Sequence, residues 1–186
     1  MHHMSKVITL LLVLACLSAA GKEHTAQLLA RETYKLNSGG RPDGRSRVVL
    51  PVNLPPGTVA VFYTVQTSHK QAPGFIDLAA KVAMAIRNNP IKTTVNLLGI
   101  CENIRGTVGD GVADVYYLDA DNVPGFSAKR QFNYQPDYSR LNYTTGTVGI
   151  PVDFSFTPTP IYIGLRNPSA LQAVEVTIEV AVIVRK

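Results

Sequence analysis

The sequence SGGRPDGRSR of residues 38–47 resembles a phosphate-binding loop, because a glycine, four residues and Gly-Arg-Ser follow one another. A phosphate-binding loop has a lysine where Arg45 stands, a buried strand before the glycines and a helix after them. Residues 47–51 instead have the apolar pattern of a strand, and Pro42 stiffens the loop. The segment is therefore interpreted as a basic strand entry and not as a nucleotide site.

Four aspartates fall within residues 110–121, and Asp119 and Asp121 are spaced like the first ligands of a calcium loop. The third ligand, the glycine and the distal glutamate of an EF-hand loop do not follow them. Asp, Asn and Gly in this arrangement are also common in turns. Calcium binding by Asp119 and Asp121 stays open as the alternative to turn formation, and the sequence predicts no metal centre.

Catalytic chemistry has few candidates in this sequence. His69 is the one histidine beyond residue 46, and Gly-x-Ser-x-Gly is absent. Three metal ligands cannot be assembled from neighbouring positions. We therefore predict that the chain is not an enzyme and uses no cofactor, while a hydrolase whose site is built from distant residues remains the lesser alternative.

An aromatic and polar segment between residues 126 and 143 is the best candidate for ligand binding. Planar rings beside amide, carboxylate and guanidinium groups suit contacts with a carbohydrate or a protein. The alternative is that the rings cover the core from connecting loops. The candidate ligand-binding residues are Phe132, Tyr134, Tyr138, Arg140 and Tyr143.

Net charge limits the class of partner. The chain carries a formal charge of +5, and residues 31–47 hold five basic against two acidic side chains. The chain from residue 48 onward is close to neutral, so we expect no nucleic-acid-binding face.

The N-terminus predicts export. Lys6 precedes the apolar residues 7–15, and small residues follow at 18–21, which is the pattern of a signal peptide over residues 1–20. Residues 13–16 also resemble a bacterial lipobox, which leaves lipidation of Cys16 open as an alternative to cleavage after Ala20. We expect a secreted, cell-surface or periplasmic protein that touches a membrane only through such an anchor. In both cases Cys101 has no disulfide partner in the domain.

The remaining chain is predicted to be mainly β. Residues 21–46 are polar, basic and without sustained periodicity, so they are interpreted as a leader or tether before a domain of residues 47–186. Helical spacing of apolar residues predicts one helix near residues 75–87, and residues 91–106 fit a strand or a helix. Strands are expected in residues 47–53, 58–67, 112–118, 131–134, 145–152, 161–166 and 173–184.

The C-terminal strand has the most regular pattern. Valines and Ile178 alternate with Glu175, Thr177 and Glu179, which predicts one face on the core and one face in water. Short strands, turn residues between them and one helix predict a single antiparallel β-sandwich of the jelly-roll type.

The end of the chain, YIGLRNP at residues 162–168 followed by a valine-rich strand, resembles the last hairpin of secreted jelly-roll accessory modules of the pre-peptidase C-terminal and GOLD types. The resemblance covers about the last 30 residues. It implies a sandwich architecture, and because those modules carry no fixed catalytic residues it implies no site.

The sequence thus leads to a non-catalytic extracellular or cell-surface binding module for a carbohydrate or a protein. The alternative is a structural or assembly protein whose edge strands, the long C-terminal strand above all, pair with a partner.

Overall fold

The structure, a computed structural model, describes residues 23–41, 45–69, 77–88, 94–104, 109–153 and 160–186. The predicted signal peptide and Cys16 lie outside these ranges.

Eight strands in the described residues form two antiparallel sheets of four strands. The first sheet has the order β1-β8-β3-β6 and the second the order β2-β7-β4-β5. The predicted mainly-β fold is confirmed. The strands are β1 (Glu23–Leu36), β2 (Arg47–Val52), β3 (Thr58–Ser68), β4 (Ala113–Leu118), β5 (Arg140–Tyr143), β6 (Thr145–Pro151), β7 (Ile161–Arg166) and β8 (Val174–Arg185).

Strand pairing is nested from the ends of the chain inward. β1 pairs with β8, β2 with β7, β3 with β6 and β4 with β5. The chain is therefore a long hairpin rolled into two sheets, which is the jelly-roll arrangement. β7 and β8 lie in opposite sheets, so the expectation that they form a terminal hairpin is wrong, and residues 167–173 cross between the sheets.

The main core lies between the two sheets. The alternating residues of β8 face it, as the period-2 pattern predicts: Val174, Val176, Ile178, Val180, Val182 and Val184. Val61, Tyr63 and Val65 of β3 meet them within the same sheet. Ile161, Ile163 and Leu165 of β7 close the core from the second sheet, and all three are fully buried.

The outer face of the first sheet is covered by two helices, α1 (Leu78–Asn88) and α2 (Thr94–Asn103). The predicted helix near 75–87 is confirmed within the described residues. Residues 91–106 fitted either a strand or a helix, and Thr94–Asn103 of this segment is helical. Phe62, Ala181 and Ile183 pack against these helices. The prediction that the second face of β8 points to water is therefore wrong, because the apolar faces of α1 and α2 are buried against it. No helix in the described ranges is long and apolar enough to cross a membrane.

A buried carboxylate links β8 to α1. Glu179 is 3% exposed, and its Oε2 accepts the backbone amide of Leu78 at 2.8 Å. Asp77 accepts the amide of Ala80 at 3.0 Å, so both carboxylates cap the first turn of α1. Burial raises the pKa of Glu179, and the negative charge of Asp77 acts in the same direction.

Residues 23–36 are part of the first sheet, which corrects the interpretation of residues 21–46 as a tether. β1 pairs with β8 from Glu23 to Leu36, and Leu36 is fully buried in the core. Irregularities in the pairing fall between Gln27 and Leu29 and between Leu29 and Glu32. These bulges insert extra residues and shift the alternation, so no sustained period of two is visible in the sequence.

β8 lies between β1 and β3, so both of its edges are hydrogen-bonded. This contradicts the expectation that the long C-terminal strand pairs with a partner by edge addition. The edges of the two sheets are instead β1 and β6, and β2 and β5.

We predict that Leu36→Ala lowers the free energy of unfolding by about 2–5 kcal/mol, because it leaves a cavity in a closed core. The matched control is Leu171→Ala, since Leu171 is 90% exposed and its truncation should change stability by about 0.5 kcal/mol or less. Urea unfolding followed by circular dichroism measures both. Equal stabilities for the two variants would show that β1 is not an integral strand.

A second prediction concerns pH. The pKa of Glu179 is raised in the fold, so the native state holds the proton of this carboxyl group more tightly than the unfolded chain does. Its contribution to the free energy of unfolding therefore falls as the pH rises from the unfolded pKa of Glu179 through its folded pKa. Glu179→Gln keeps an acceptor for the Leu78 amide without a buried charge. We expect the variant to gain stability relative to wild type as the pH rises above the unfolded pKa of glutamate, about 4.3.

The control for this measurement is Glu175→Gln, which removes a half-buried carboxylate from the same strand. Unfolding curves at several pH values give the comparison. A Glu179→Gln profile parallel to that of wild type would refute the effect of burial on this carboxyl group.

Candidate functional site

Charged side chains from three strands form a row on the outer face of the second sheet. Arg47 of β2 is the register partner of Arg166 of β7, and Arg166 is the register partner of Asp114 of β4. Residues in register across a sheet project on the same face. The row therefore places two guanidinium groups and one carboxylate side by side.

Asp114 is 2% exposed, and its carboxylate accepts four hydrogen bonds. Its Oδ2 accepts Nε of Arg166 at 2.7 Å, Nη2 of Arg166 at 2.5 Å and the hydroxyl of Tyr116 at 3.2 Å. Its Oδ1 accepts the backbone amide of Asn142 at 2.9 Å. Three of the four donors meet at Oδ2 and one at Oδ1, and they come from β4, β5 and β7, so Asp114 holds these strands together.

Arg47 makes different contacts from Arg166. Its Nη1 donates to the backbone carbonyl of Phe126 at 2.6 Å, and its guanidinium lies 5.1 Å from the centroid of the Phe126 ring. Burial lowers the pKa of Arg47, and the neighbouring charge of Arg166 lowers it further. Arg47 thus remains close to a like charge, with a neutral carbonyl as its described acceptor.

Four aromatic rings pack beside the charged row. Tyr116 lies edge-to-face with Phe126 at 5.5 Å, Phe132 at 5.2 Å and Tyr134 at 5.0 Å between ring centroids. Burial raises the pKa of Tyr116 to about 12, and the charge of Asp114 adds to the shift. The short helix α3 (Val123–Ser127) carries Phe126 over the sheet. We call these four rings with Arg47 and Arg166 the arginine–aromatic face.

The expected strand at residues 131–134 is wrong, because this segment has no regular secondary structure. The backbone amide of Gln135 donates to the carbonyl of Tyr117 at 3.1 Å. The backbone amide of Asn133 donates to Oδ1 of Asn122 at 2.6 Å. The segment is held by its rings and by isolated hydrogen bonds. A ladder with a partner strand does not form.

Gly164 of β7 makes room for the rings. A Cβ at this position would lie 2.9 Å from Cζ of Phe126 and 2.9 Å from Cδ1 of Leu118. A side chain here would have to displace the Phe126 ring or the Leu118 side chain. The glycine in the sequence of β7 therefore positions the arginine–aromatic face.

The structure divides the five candidate ligand-binding residues between two faces of the second sheet. Phe132 and Tyr134 belong to the arginine–aromatic face. Tyr138 and Tyr143 are half-buried against the core between the sheets, and Arg140 donates to the backbone carbonyls of Asp137 and Ser139 at 3.0 and 2.7 Å. The predicted set therefore does not form one site.

Neighbouring tyrosines of β4 cause this division. Tyr116 points outward to Tyr134, whereas Tyr117 points inward and meets the ring of Tyr138 at 5.7 Å. The hydroxyl of Tyr63 donates to the carbonyl of Tyr138 at 2.6 Å. Tyr138 and Tyr143 therefore have the core-covering role that the sequence left open for the whole segment.

Asp119 takes part in a turn. Its Oδ1 accepts the backbone amide of Asn122 at 3.0 Å and the side-chain amide of the same residue at 2.8 Å. It thereby caps a 3₁₀ turn that contains Asp121. This geometry agrees with the turn interpretation of Asp119 and Asp121. Among the described residues no three His, Cys, Asp or Glu side chains are grouped to hold a metal ion.

His69 lies near Asp110, but its ring is directed elsewhere. Asp110 Oδ1 accepts the backbone amide of His69 at 2.7 Å, whereas ring Nδ1 lies 3.0 Å from the carbonyl of Ala173. Ser68 also bonds to Asp110 through its side chain. In the described contacts, Asp110 therefore accepts a hydrogen bond from the backbone of His69, whereas the imidazole contacts the carbonyl of Ala173.

The sequence interpretation placed Arg47 in a basic strand entry and Asp114 in a group of aspartates, and it named neither of them, nor Arg166 or Tyr116, as a site residue. Each lies in a strand that the sequence predicts, and both arginines stand at a strand end. The sequence feature that could have identified Arg47, Arg166 and Asp114 is a charged residue in an otherwise apolar strand. Its meaning depends on which strands are neighbours, and a single sequence does not reveal that order.

Two surface cavities lie away from the arginine–aromatic face. One of about 150 Å³ opens between the edge strands β1 and β2 and is lined by Leu28, Leu29, Pro51, Val52 and Asn53. The other, of about 290 Å³, is lined by Lys35, Asn37, Ser38, Arg41, Leu171 and Ala173. Neither contains a predicted site residue.

Cys101 allows a test of the packing of α2 on the first sheet. Burial raises the pKa of the Cys101 thiol to about 11, so at pH 8 we expect alkylation by iodoacetamide to be roughly 100-fold slower in the native than in the unfolded chain. Mass spectrometry of a Cys16→Ser chain measures the rate at Cys101 alone. Equal rates in buffer and in denaturant would contradict the partial burial of Cys101 against the first sheet.

Neither models of known protein families nor curated proteins match this chain. The resemblance of residues 162–186 to secreted accessory modules thus remains a hypothesis.

Proposed function

We propose that this protein is a non-catalytic extracellular binding module and that its ligand, a carbohydrate or a protein, contacts the arginine–aromatic face. The observation that carries the proposal is the pairing of Arg47 with Arg166 across neighbouring strands. Like charges directly opposite each other destabilise a sheet. In the described contacts Asp114 is bonded to Arg166 and not to Arg47, so a ligand group can offset the remaining repulsion.

The side chains around this pair suit recognition. Phe132, Tyr134 and Tyr162 are half-buried and border the same face. Partly exposed rings next to guanidinium groups provide apolar contact together with directional hydrogen bonds. Such combinations are enriched where proteins bind ligands.

Rigidity supports a binding role for this surface. The rings pack against one another, Gly164 seats Phe126, and Asp114 ties three strands together. A surface held in one conformation loses little entropy on binding. The predicted signal peptide implies export, and this surface of an exported protein meets extracellular ligands.

Two tyrosines of the candidate set give a matched test. Tyr134 lies on the arginine–aromatic face and Tyr138 faces the core. On an array of neutral and acidic glycans and peptides, we expect wild-type hits that Tyr134→Ala weakens about fivefold to tenfold, since an aromatic contact is removed. Tyr138→Ala should keep the hits at a temperature where it is folded.

Thermal unfolding followed by circular dichroism establishes that both variants are folded during the array experiment. Loss of the hits in folded Tyr138→Ala, with Tyr134→Ala unchanged, would place the ligand elsewhere. An array without any wild-type hit would count against a binding module for these ligand classes.

A further inference from the structure

The two arginines of the arginine–aromatic face are accessible as a pair. The side chain of Arg166 is 34% exposed, and Arg47 is half-buried at the adjacent position. Directly opposed residues in an antiparallel pair have Cβ atoms about 5 Å apart. One anionic group can therefore reach both guanidinium groups.

The pair has a surplus of positive charge. Asp114 balances one arginine, and its oxygens already accept four donors. Arg47 donates to the carbonyl of Phe126, which carries no net charge. Aromatic faces at 5.1 and 5.8 Å add a weak attraction for the guanidinium of Arg47, but they do not neutralise it.

More positive charge lies next to Arg47. The backbone amide of Lys129 donates to the same Phe126 carbonyl at 3.2 Å, which brings the segment of Lys129 and Arg130 to the side of Arg47. Both residues are exposed, and residues 123–135 contain no acidic side chain. The positive surface thus extends from the arginine pair to Lys129 and Arg130.

We propose that Arg47 and Arg166 together bind the anionic group, a carboxylate or a sulfate, of an acidic polysaccharide. This inference rests on the proposed function and names its ligand class. Guanidinium groups match the geometry of oxyanions and donate two hydrogen bonds to each. Lys129 and Arg130 meet the next anionic group of the same chain, while Phe132 and Tyr134 contact the sugar rings.

A polysaccharide fits this surface better than an acidic peptide. The arginines project from the face of the sheet; β7 under Arg166 is paired on both sides, whereas β2 under Arg47 is an edge strand. A peptide that paired with the free edge of β2 would lie in the plane of the sheet, so its backbone pairing would not place it across the arginine pair. An acidic polysaccharide carries repeated negative charges and sugar rings. This face presents cationic side chains and aromatic rings next to one another, which match both features.

Isothermal titration of the full mature chain tests the proposal with four probes. They are a galacturonic acid hexasaccharide, its carboxyl-reduced neutral counterpart, a sulfated hexasaccharide and a glutamate hexapeptide. We expect binding of at least one acidic saccharide, with an affinity about tenfold higher than for the neutral counterpart and lower at high salt. The carboxylate and sulfate arms distinguish the two anions.

Arg47→Gln is the informative variant because Arg47 is not bonded to Asp114. We expect it to weaken binding of the acidic saccharide about tenfold while the fold is unchanged. Arg87→Gln on α1 and Arg41→Gln at the 290 Å³ cavity remove the same charge from exposed positions elsewhere. Both controls should bind as wild type does.

Several results would overturn the proposal. Equal binding of the neutral and acidic saccharides, with loss in Tyr134→Ala, would refute the anion site but leave the binding module intact. Preference for the glutamate peptide would assign the face to an acidic protein. A loss in Arg41→Gln and not in Arg47→Gln would move the anion to the cavity, and no binding of any probe would refute the ligand class.

Discussion

The fold depends on the burial of β8 on both faces and its pairing at both edges. Its inner valines fill the space between the sheets, and its outer Ala181 and Ile183 lie under the helices. β1 and β3 occupy its two edges. Because β1 is the first strand and β8 the last, this pairing closes the roll and brings the two ends of the described chain together.

Burial on both faces also explains how polar groups are used in the first sheet. Glu179 is placed under α1 by the alternation of β8, and it is tolerated there because it accepts the amide of Leu78. A buried carboxylate at a helix start orients the helix at a cost in desolvation. The second sheet has a similar arrangement in Asp114, whose carboxylate joins three strands.

The alternation of β4 decides what the aromatic segment does. Tyr116 and Tyr117 are neighbours in sequence but lie on opposite faces of the sheet, and each recruits rings from residues 126–143 to its own side. Rings on the inner side stabilise the core. Those on the outer side, together with the arginine pair, form the surface on which the proposed binding role depends.

The predictions that rest on local periodicity are confirmed for β2, β3, β4, β6, β7, β8 and α1. In these segments burial follows the repeat of the backbone itself, so a single sequence contains the pattern. The same reasoning failed for β1, whose bulges shift the alternation, and for residues 131–134, where tertiary contacts replace a strand partner.

The sequence by itself determined that the described chain folds as a β-sandwich with a helix after β3, because alternation and helical spacing are local properties. Only the tertiary structure decided which strands are neighbours. It separated Tyr138 and Tyr143 from Phe132 and Tyr134, and it brought Arg47, Arg166 and Asp114 into one row. Those contacts join residues far apart in the chain, and they follow from how the sheets close around a common core.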